Sequence, residues 1–159
     1  MVVRLRSDIY SLKVKICNTL PSPDCLPPRR NQLGKGSEMI LVEDDPSVLR
    51  ALRRLLEICG FKVKAFARPS ALRATGIPGP NACLIFDIYL PEMTGVELYQ
   101  ELVASGCRCP LILITGRVDD ATRALAKPVN PTALLIKPFS RDELLAAIRR
   151  SFASYIDSS

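Results

Sequence analysis

The 159-residue chain contains no histidine and no tryptophan, and its nine other aromatic residues, four Tyr and five Phe, are scattered. The missing imidazole excludes Ser-His-Asp and Cys-His catalysis and every His-ligated metal. Long apolar runs are also missing. The longest, such as Ala82–Phe86 and Leu111–Ile114, fall far short of the roughly 20 residues that cross a bilayer. No positively charged start leads into an apolar core and a small-residue cleavage site, so a soluble, cytoplasmic protein without membrane association is expected. No CxxC occurs among the six cysteines. Cys107 and Cys109 form a CxC open to metal or redox use, whereas Cys59 and Cys83 lie in apolar runs and read as reduced core residues.

Hydrophobic residues make up 48% and charged residues 24%, so the chain has the composition of one globular domain rather than a disordered one. The net charge of +6 is unevenly spread: residues 1–38 carry seven Lys/Arg against three acids, leaving 15 against 13 for the remainder. The bases of that nearly neutral remainder are dispersed along helices as on solvated faces, so direct nucleic-acid binding is not expected. Within residues 1–38, a weakly strand-like Ser11–Cys17 is followed by Pro21, Pro23, Pro27, Pro28, Gly34 and Gly36, the pattern of a flexible extension. Met39 opens the first convincing strand and is an alternative start site.

From Met39 onward, short apolar runs alternate with amphipathic segments, the βα pattern of a parallel sheet. Strands are predicted at Met39–Val42, Phe61–Phe66, Ala82–Phe86, Leu111–Ile114 and Ala133–Ile136. Asp45 reads as an N-cap with Pro46 at the first helical position, and Val48, Leu52, Leu55, Leu56 and Cys59 recur at helical spacing up to Gly60. A short helix follows over about Pro69–Ala74. Thr94 caps a third helix at Gly95–Ala104, and a poor fourth over Asp120–Lys127 is cut off by Pro128. Ser140-Arg-Asp-Glu143 is a capping box opening the last helix, with Leu144, Leu145, Ile148 and Phe152 on its buried face. Lys62 and Lys64 alternate along the second strand as on a wet edge, and the wholly apolar third strand belongs at the centre. The fold class is therefore α/β, a five-stranded parallel sheet in a three-layer, flavodoxin-like (βα)5 sandwich with expected strand order 2-1-3-4-5.

The polar residues that follow the strands carry the chemistry. Strand one runs into Glu43-Asp44, strand three into Asp87, strand four into Thr115 and strand five into Lys137. All strand ends of a parallel sheet point to one edge, where ligands of open α/β sheets bind at the reversal of strand order. Carboxylates about 4 Å apart repel by roughly 4 kcal/mol per pair at an effective dielectric of ~20, so such a cluster needs a proton or a cation. An all-oxygen donor set favours Mg²⁺ or Mn²⁺ over zinc, and a lysine and a hydroxyl beside it suit phosphoryl oxygens. Each residue alone has a plainer role: Glu43, Asp44 and Asp45 as helix-cap charges, Asp87 as a turn residue, Thr115 as a loop start and Lys137 as a surface charge. Their joint placement on one rim is the informative feature.

Four runs are specific: Ile40-Leu-Val-Glu-Asp-Asp-Pro-Ser-Val-Leu-Arg50, Phe86-Asp-Ile-Tyr-Leu-Pro-Glu-Met-Thr-Gly95, Ile114-Thr-Gly116 and Ile136-Lys-Pro-Phe139. In order, spacing and strand-end placement they resemble the receiver domain of two-component response regulators, over residues 39–157. The resemblance implies Asp87 as phosphoacceptor, with Glu43, Asp44, Asp87 and the backbone carbonyl of Tyr89 as ligands of Mg²⁺. It further implies that Thr115 and Lys137 bind the phosphoryl group, that Lys137 precedes a cis bond to Pro138, that Gly116 keeps the pocket open, and that Pro91 and Gly95 shape the turn presenting Asp87. The partner it implies is a histidine kinase or histidine phosphotransfer protein, because a chain without histidine cannot supply its own phosphohistidine. Catalysis is then limited to the domain's own aspartyl phosphorylation and dephosphorylation.

Two features depart from the family pattern. Leu134 stands where an aromatic residue is usual, and Pro128 and Pro131 shorten the fourth helix and its exit, so an unconventional signalling face is expected. A stand-alone receiver acting through protein contact is expected, as a relay intermediate, phosphate sink or switch. A detached receiver or a pseudo-receiver that binds without phosphorylation is the alternative. A haloacid-dehalogenase-like phosphohydrolase is disfavoured, because Asp87-Ile88-Tyr89 lacks a second Asp and follows the third strand.

Overall fold

The computed structural model describes residues 37–156. Expectations for the extension, including Ser11–Cys17, fall on residues outside that range. The elements are β1 (Glu38–Val42), α1 (Pro46–Ile58), β2 (Lys62–Phe66), α2 (Pro69–Arg73), β3 (Ala82–Asp87), α3 (Gly95–Ala104), β4 (Leu111–Thr115), α4 (Asp120–Ala126), β5 (Ala133–Ile136) and α5 (Arg141–Ile156). The five strands are all parallel in the order β2-β1-β3-β4-β5, the expected topology.

Sheet and helices meet in two apolar layers because side chains alternate along each strand. Met39, Leu41, Cys83, Ile85, Ile112 and Ile114 face one side, against Leu52 and Leu56 of α1 and Leu144 and Ile148 of α5. Ile40, Val42, Leu84, Phe86, Leu111 and Leu113 face the other, against Leu72 of α2, Val96, Leu98 and Leu102 of α3 and Ala126 of α4. β3 is buried along its whole length at the centre, and β2 lies at an edge with Lys62 and Lys64 exposed. Cys59 and Cys83 are core residues as expected, and burial pushes the Cys83 thiol up to about 12. Cys107 and Cys109 are buried as well, in the layer under α3, with the Cys109 thiol donating to the Gly79 carbonyl at 3.2 Å.

Local chemistry starts and stops the helices where the residue types require. Asp45 accepts from the Ser47 and Val48 amides at 2.8 and 3.1 Å, so it caps α1 and does not join the acidic pair before it. Asp45→Ala is expected to lower the unfolding free energy by about 1 kcal/mol, read from the urea midpoint at constant slope. α3 opens on a complete capping box: Thr94 Oγ1 accepts from the Glu97 amide at 3.1 Å, and Glu97 accepts from the Thr94 amide at 2.7 Å. Ser140 and Glu143 make the same reciprocal pair before α5. α2 is different, since Arg68 at its N-cap makes no side-chain cap. Glu92, from the loop after β3, supplies it instead by accepting from the Ser70 amide at 2.9 Å and the Ser70 hydroxyl at 2.8 Å.

Small differences from the sequence reading lie at element ends. β3 and β4 include Asp87 and Thr115, which are thus the last strand residues rather than the first loop residues. α4 has only seven residues and gives way to a 3-10 turn at Lys127–Val129, closed by Asn130 in the left-handed region (φ 44°). Pro128 and Pro131 explain that shortness, because neither can donate the amide a longer helix needs.

Candidate functional site

Register brings the rim residues together. Val42 of β1 is aligned with Phe86 of β3, so Glu43 and Asp87, each one residue further on, come side by side. Asp87 is aligned with Ile114 and Thr115 with Ile136, which places Thr115 and Lys137 next along the same edge. The Lys137 amide bonds the Thr115 carbonyl at 2.7 Å, and the Lys137–Pro138 bond is cis. The chain crosses from β1 to opposite sides for β2 and β3, so this edge is the sheet's switch point.

At its centre lies Asp87, only 6% exposed. Its Oδ2 accepts from Lys137 Nζ at 2.6 Å and its Oδ1 from the Tyr89 amide at 2.9 Å, so both oxygens are held and the carboxylate plane is set. Lys137 Nζ also bonds Glu43 Oε2 at 2.6 Å, bridging the two buried carboxylates. The second Glu43 oxygen accepts from the Asp45 amide at 3.1 Å. Asp44 is exposed, but one carboxylate oxygen from each of Glu43, Asp44 and Asp87 lies within 4.8 Å of the others. Thr115 is fully buried, with its hydroxyl accepting from the Arg117 amide at 3.1 Å.

The electrostatics follow from burial. Desolvation pushes the Glu43 carboxyl up to about 7 from its ordinary 4.5, with Asp87 adding to the rise and Lys137 opposing it. Burial by itself would lower the Lys137 pKa, but the charges of Glu43 and Asp87 prevail and raise it. A carboxyl with a higher pKa in the folded than in the unfolded chain contributes stability that is full below about 4.5 and lost as pH rises through 7. In EDTA, wild type is therefore expected to lose more than about 1 kcal/mol relative to Glu43→Gln between those limits. Urea titrations across the range check this, and parallel profiles for the two proteins would contradict it.

Three carboxylates against one ammonium leave a negative, all-oxygen cluster, the donor chemistry of a hard divalent cation such as Mg²⁺. Two of the sequence-derived shaping residues fare differently. A side-chain Cβ at Gly95 would collide with the Asp87 carbonyl and come within 3.1 Å of the Phe86 Cβ, whereas at Gly116 it would meet nothing within 4 Å. Gly95 is thus a close-approach residue, while Gly116 is under no such constraint.

Sequence reasoning missed the contacts that lead away from the rim. The Tyr89 hydroxyl is 2.8 Å from Thr122 Oγ1 in α4, and the Arg117 guanidinium lies 4.3 Å from the centroid of the Tyr89 ring. No spacing rule could find either, because 33 residues separate Tyr89 from Thr122.

The model of the response regulator receiver domain family matches residues 39–149. The chain is 32% identical over 121 residues to the response regulator protein TmoT of Ectopseudomonas mendocina, covering 76% of this chain and 55% of that protein. It is likewise 32% identical over 111 residues to the transcriptional regulatory protein FixJ of Azorhizobium caulinodans, covering 70% and 53%. The chain thus spans about half the length of these curated relatives. Among solved structures, that described as FixJ-N superposes with a TM-score of 0.69 at 28% identity, covering 76% of this chain and 96% of that one. Among the described residues, no helix is long and apolar enough to cross a membrane. The parallel-sheet topology, the four motif runs and these similarities converge, and the chain belongs to the response regulator receiver domain family of two-component signalling.

Proposed function

We propose that this chain accepts a phosphoryl group on Asp87 from a phosphohistidine carried by a separate histidine kinase or histidine phosphotransfer protein. The observation that carries the reading is the Asp87 carboxylate itself: buried, held at both oxygens, and grouped with two further carboxylates and one lysine at the switch point. An Asp87 oxygen attacks phosphorus and forms the O–P bond. The P–N bond of the donor breaks and its electron pair returns to the imidazole nitrogen, leaving an acyl phosphate. Lys137, already at the carboxylate, balances charge on the transferred oxygens, and the Thr115 hydroxyl donates to one of them. Glu43, Asp44, Asp87 and the Tyr89 backbone carbonyl would hold Mg²⁺, which supplies charge neutralisation at the phosphoryl group. The acyl phosphate brings about −1.5 to −2 charge to the rim. The output is a change in protein contacts made by the face of α4, β5 and α5, within a cytoplasmic relay or switch.

Acetyl phosphate replaces the kinase in the test, with acetate as leaving group. Intact mass after incubation with Mg²⁺ is expected to show a gain of one phosphoryl group, and none in EDTA. No gain with Mg²⁺, from acetyl phosphate or from a phosphohistidine donor, would leave the chain a binding module that works without phosphorylation.

A further inference from the structure

We infer that Tyr89 is the positioning residue through which the phosphorylation state of the rim reaches α4, by its hydroxyl contact with Thr122. This rests on the reading of Asp87 as phosphoacceptor and extends it to the route by which the signal leaves. Two chains of contact meet at this one side chain. The Tyr89 amide bonds Asp87 Oδ1 at 2.9 Å, so its backbone is tied to the carboxylate that reacts. The Arg117 amide bonds Thr115 Oγ1 at 3.1 Å, while its guanidinium covers the Tyr89 ring at 4.3 Å. Asp87 is thus tied to Tyr89 directly, and Thr115 is tied to it through Arg117. From there the phenol spans to Thr122 at 2.8 Å.

Thr122 makes this contact consequential. It is 1% exposed, in the first turn of a seven-residue helix, with its amide bonded to the Asp119 cap at 2.7 Å. A buried hydroxyl that loses its partner is costly, so the Tyr89 contact holds the start of α4 closed. Short helices with exposed flanks sit at the low-stability end of a fold, and Asp119, Asp120, Ala121 and Arg123 are all exposed. A phosphoryl group on Asp87 offers the Arg117 guanidinium a charge-assisted partner, which is stronger than its contact with the ring. The Thr115 hydroxyl turns to the same group. Arg117 leaves the ring, Tyr89 loses its cover and releases Thr122, and α4 opens from its N-terminal turn.

The test combines intact mass with amide hydrogen exchange over residues 119–129, on the same samples with and without acetyl phosphate and Mg²⁺. In wild type, phosphorylation is expected to speed exchange in this segment at least about threefold. Thr122→Val keeps the shape and the Asp119-bonded amide but loses the hydroxyl. It is expected to be phosphorylated as wild type is, to exchange about fivefold faster before phosphorylation, and to change less than about twofold afterwards. Thr122→Ser returns the hydroxyl and is expected to restore the phosphorylation-dependent change, which a purely structural role of the methyl group would not do. Tyr89→Phe, the other half of the contact, is expected to match Thr122→Val in unphosphorylated exchange. A phosphorylated wild type with unchanged exchange overturns the inference and leaves the phosphoacceptor intact. So does a Thr122→Val protein that responds as wild type. Absence of a phosphoryl gain from acetyl phosphate and from a phosphohistidine donor alike overturns both, and the mass reading identifies that case.

Discussion

Asp87→Asn is expected to abolish the phosphoryl gain from acetyl phosphate while leaving the domain folded. An amide oxygen is a far weaker nucleophile than a carboxylate, because its lone pairs are bound up in amide resonance and it carries no charge. The amide still has an oxygen to accept from the Tyr89 amide, and Lys137 keeps Glu43 as its partner. The loss therefore isolates chemistry from architecture. Asp45→Asn is the matched control. Asp45 adjoins the acidic pair in sequence, but its carboxylate caps α1, and Asn caps as well as Asp. That variant is expected to gain one phosphoryl group as wild type does. Intact mass on the three proteins reads both outcomes, and a phosphorylated Asp87→Asn protein would move the acceptor elsewhere.

Gly95→Ala is expected to cost about 3 kcal/mol of stability, the upper range for forcing a methyl group into a filled space. Gly95 is the first residue of α3, where a side chain would ordinarily favour the helix, so the penalty is one of space. The Gly95 amide bonds the Ile88 carbonyl at 2.9 Å and clamps the helix start onto the end of β3. A methyl group there meets the Asp87 carbonyl and the Phe86 Cβ. Both neighbours belong to the buried central strand and cannot swing away like a surface side chain. Either β3 or α3 must shift, and Asp87 shifts with them. Phosphorylation is expected to slow more than tenfold, on the order of what a displacement of about 1 Å costs a positioned reaction. The urea midpoint and the rate of mass gain measure the two effects. A protein within about 0.5 kcal/mol of wild type would mean that the strand end yields easily.

Leu134 of β5 and Tyr89, just beyond β3, both pack against the apolar layer under α3 and α4. Leu134 carries no polar side-chain atom. The polar link from the rim to α4 is made instead by Tyr89 and Thr122, with Arg117 lying over the Tyr89 ring. The shortened α4 is part of that arrangement, since a helix of two turns can respond to the loss of one contact in its first.

Alternation of apolar and amphipathic segments determined the class of fold from sequence alone, because a strand buried on both faces must be apolar throughout and a covering helix must carry one apolar stripe. Five polar strand-end residues, Glu43, Asp44, Asp87, Thr115 and Lys137, were legible for the same reason: parallel strands deliver their C-termini to one edge. Caps at Asp45, Thr94 and Ser140 were legible because capping is a matter of residues two or three apart. Only tertiary structure decided the rest. Lys137 pairs with Glu43 and Asp87 across 94 and 50 residues, and the rise of the Glu43 pKa comes from burial that no local pattern encodes. The capping of α2 by Glu92 and the Tyr89–Thr122 contact likewise join residues 22 and 33 positions apart, and the collision that reserves position 95 for glycine arises where the start of α3 docks on the end of β3. Periodicity tells which face of an element is buried. Which side chains then meet across the rim depends on strand register and helix docking, and those are set by packing of the whole domain.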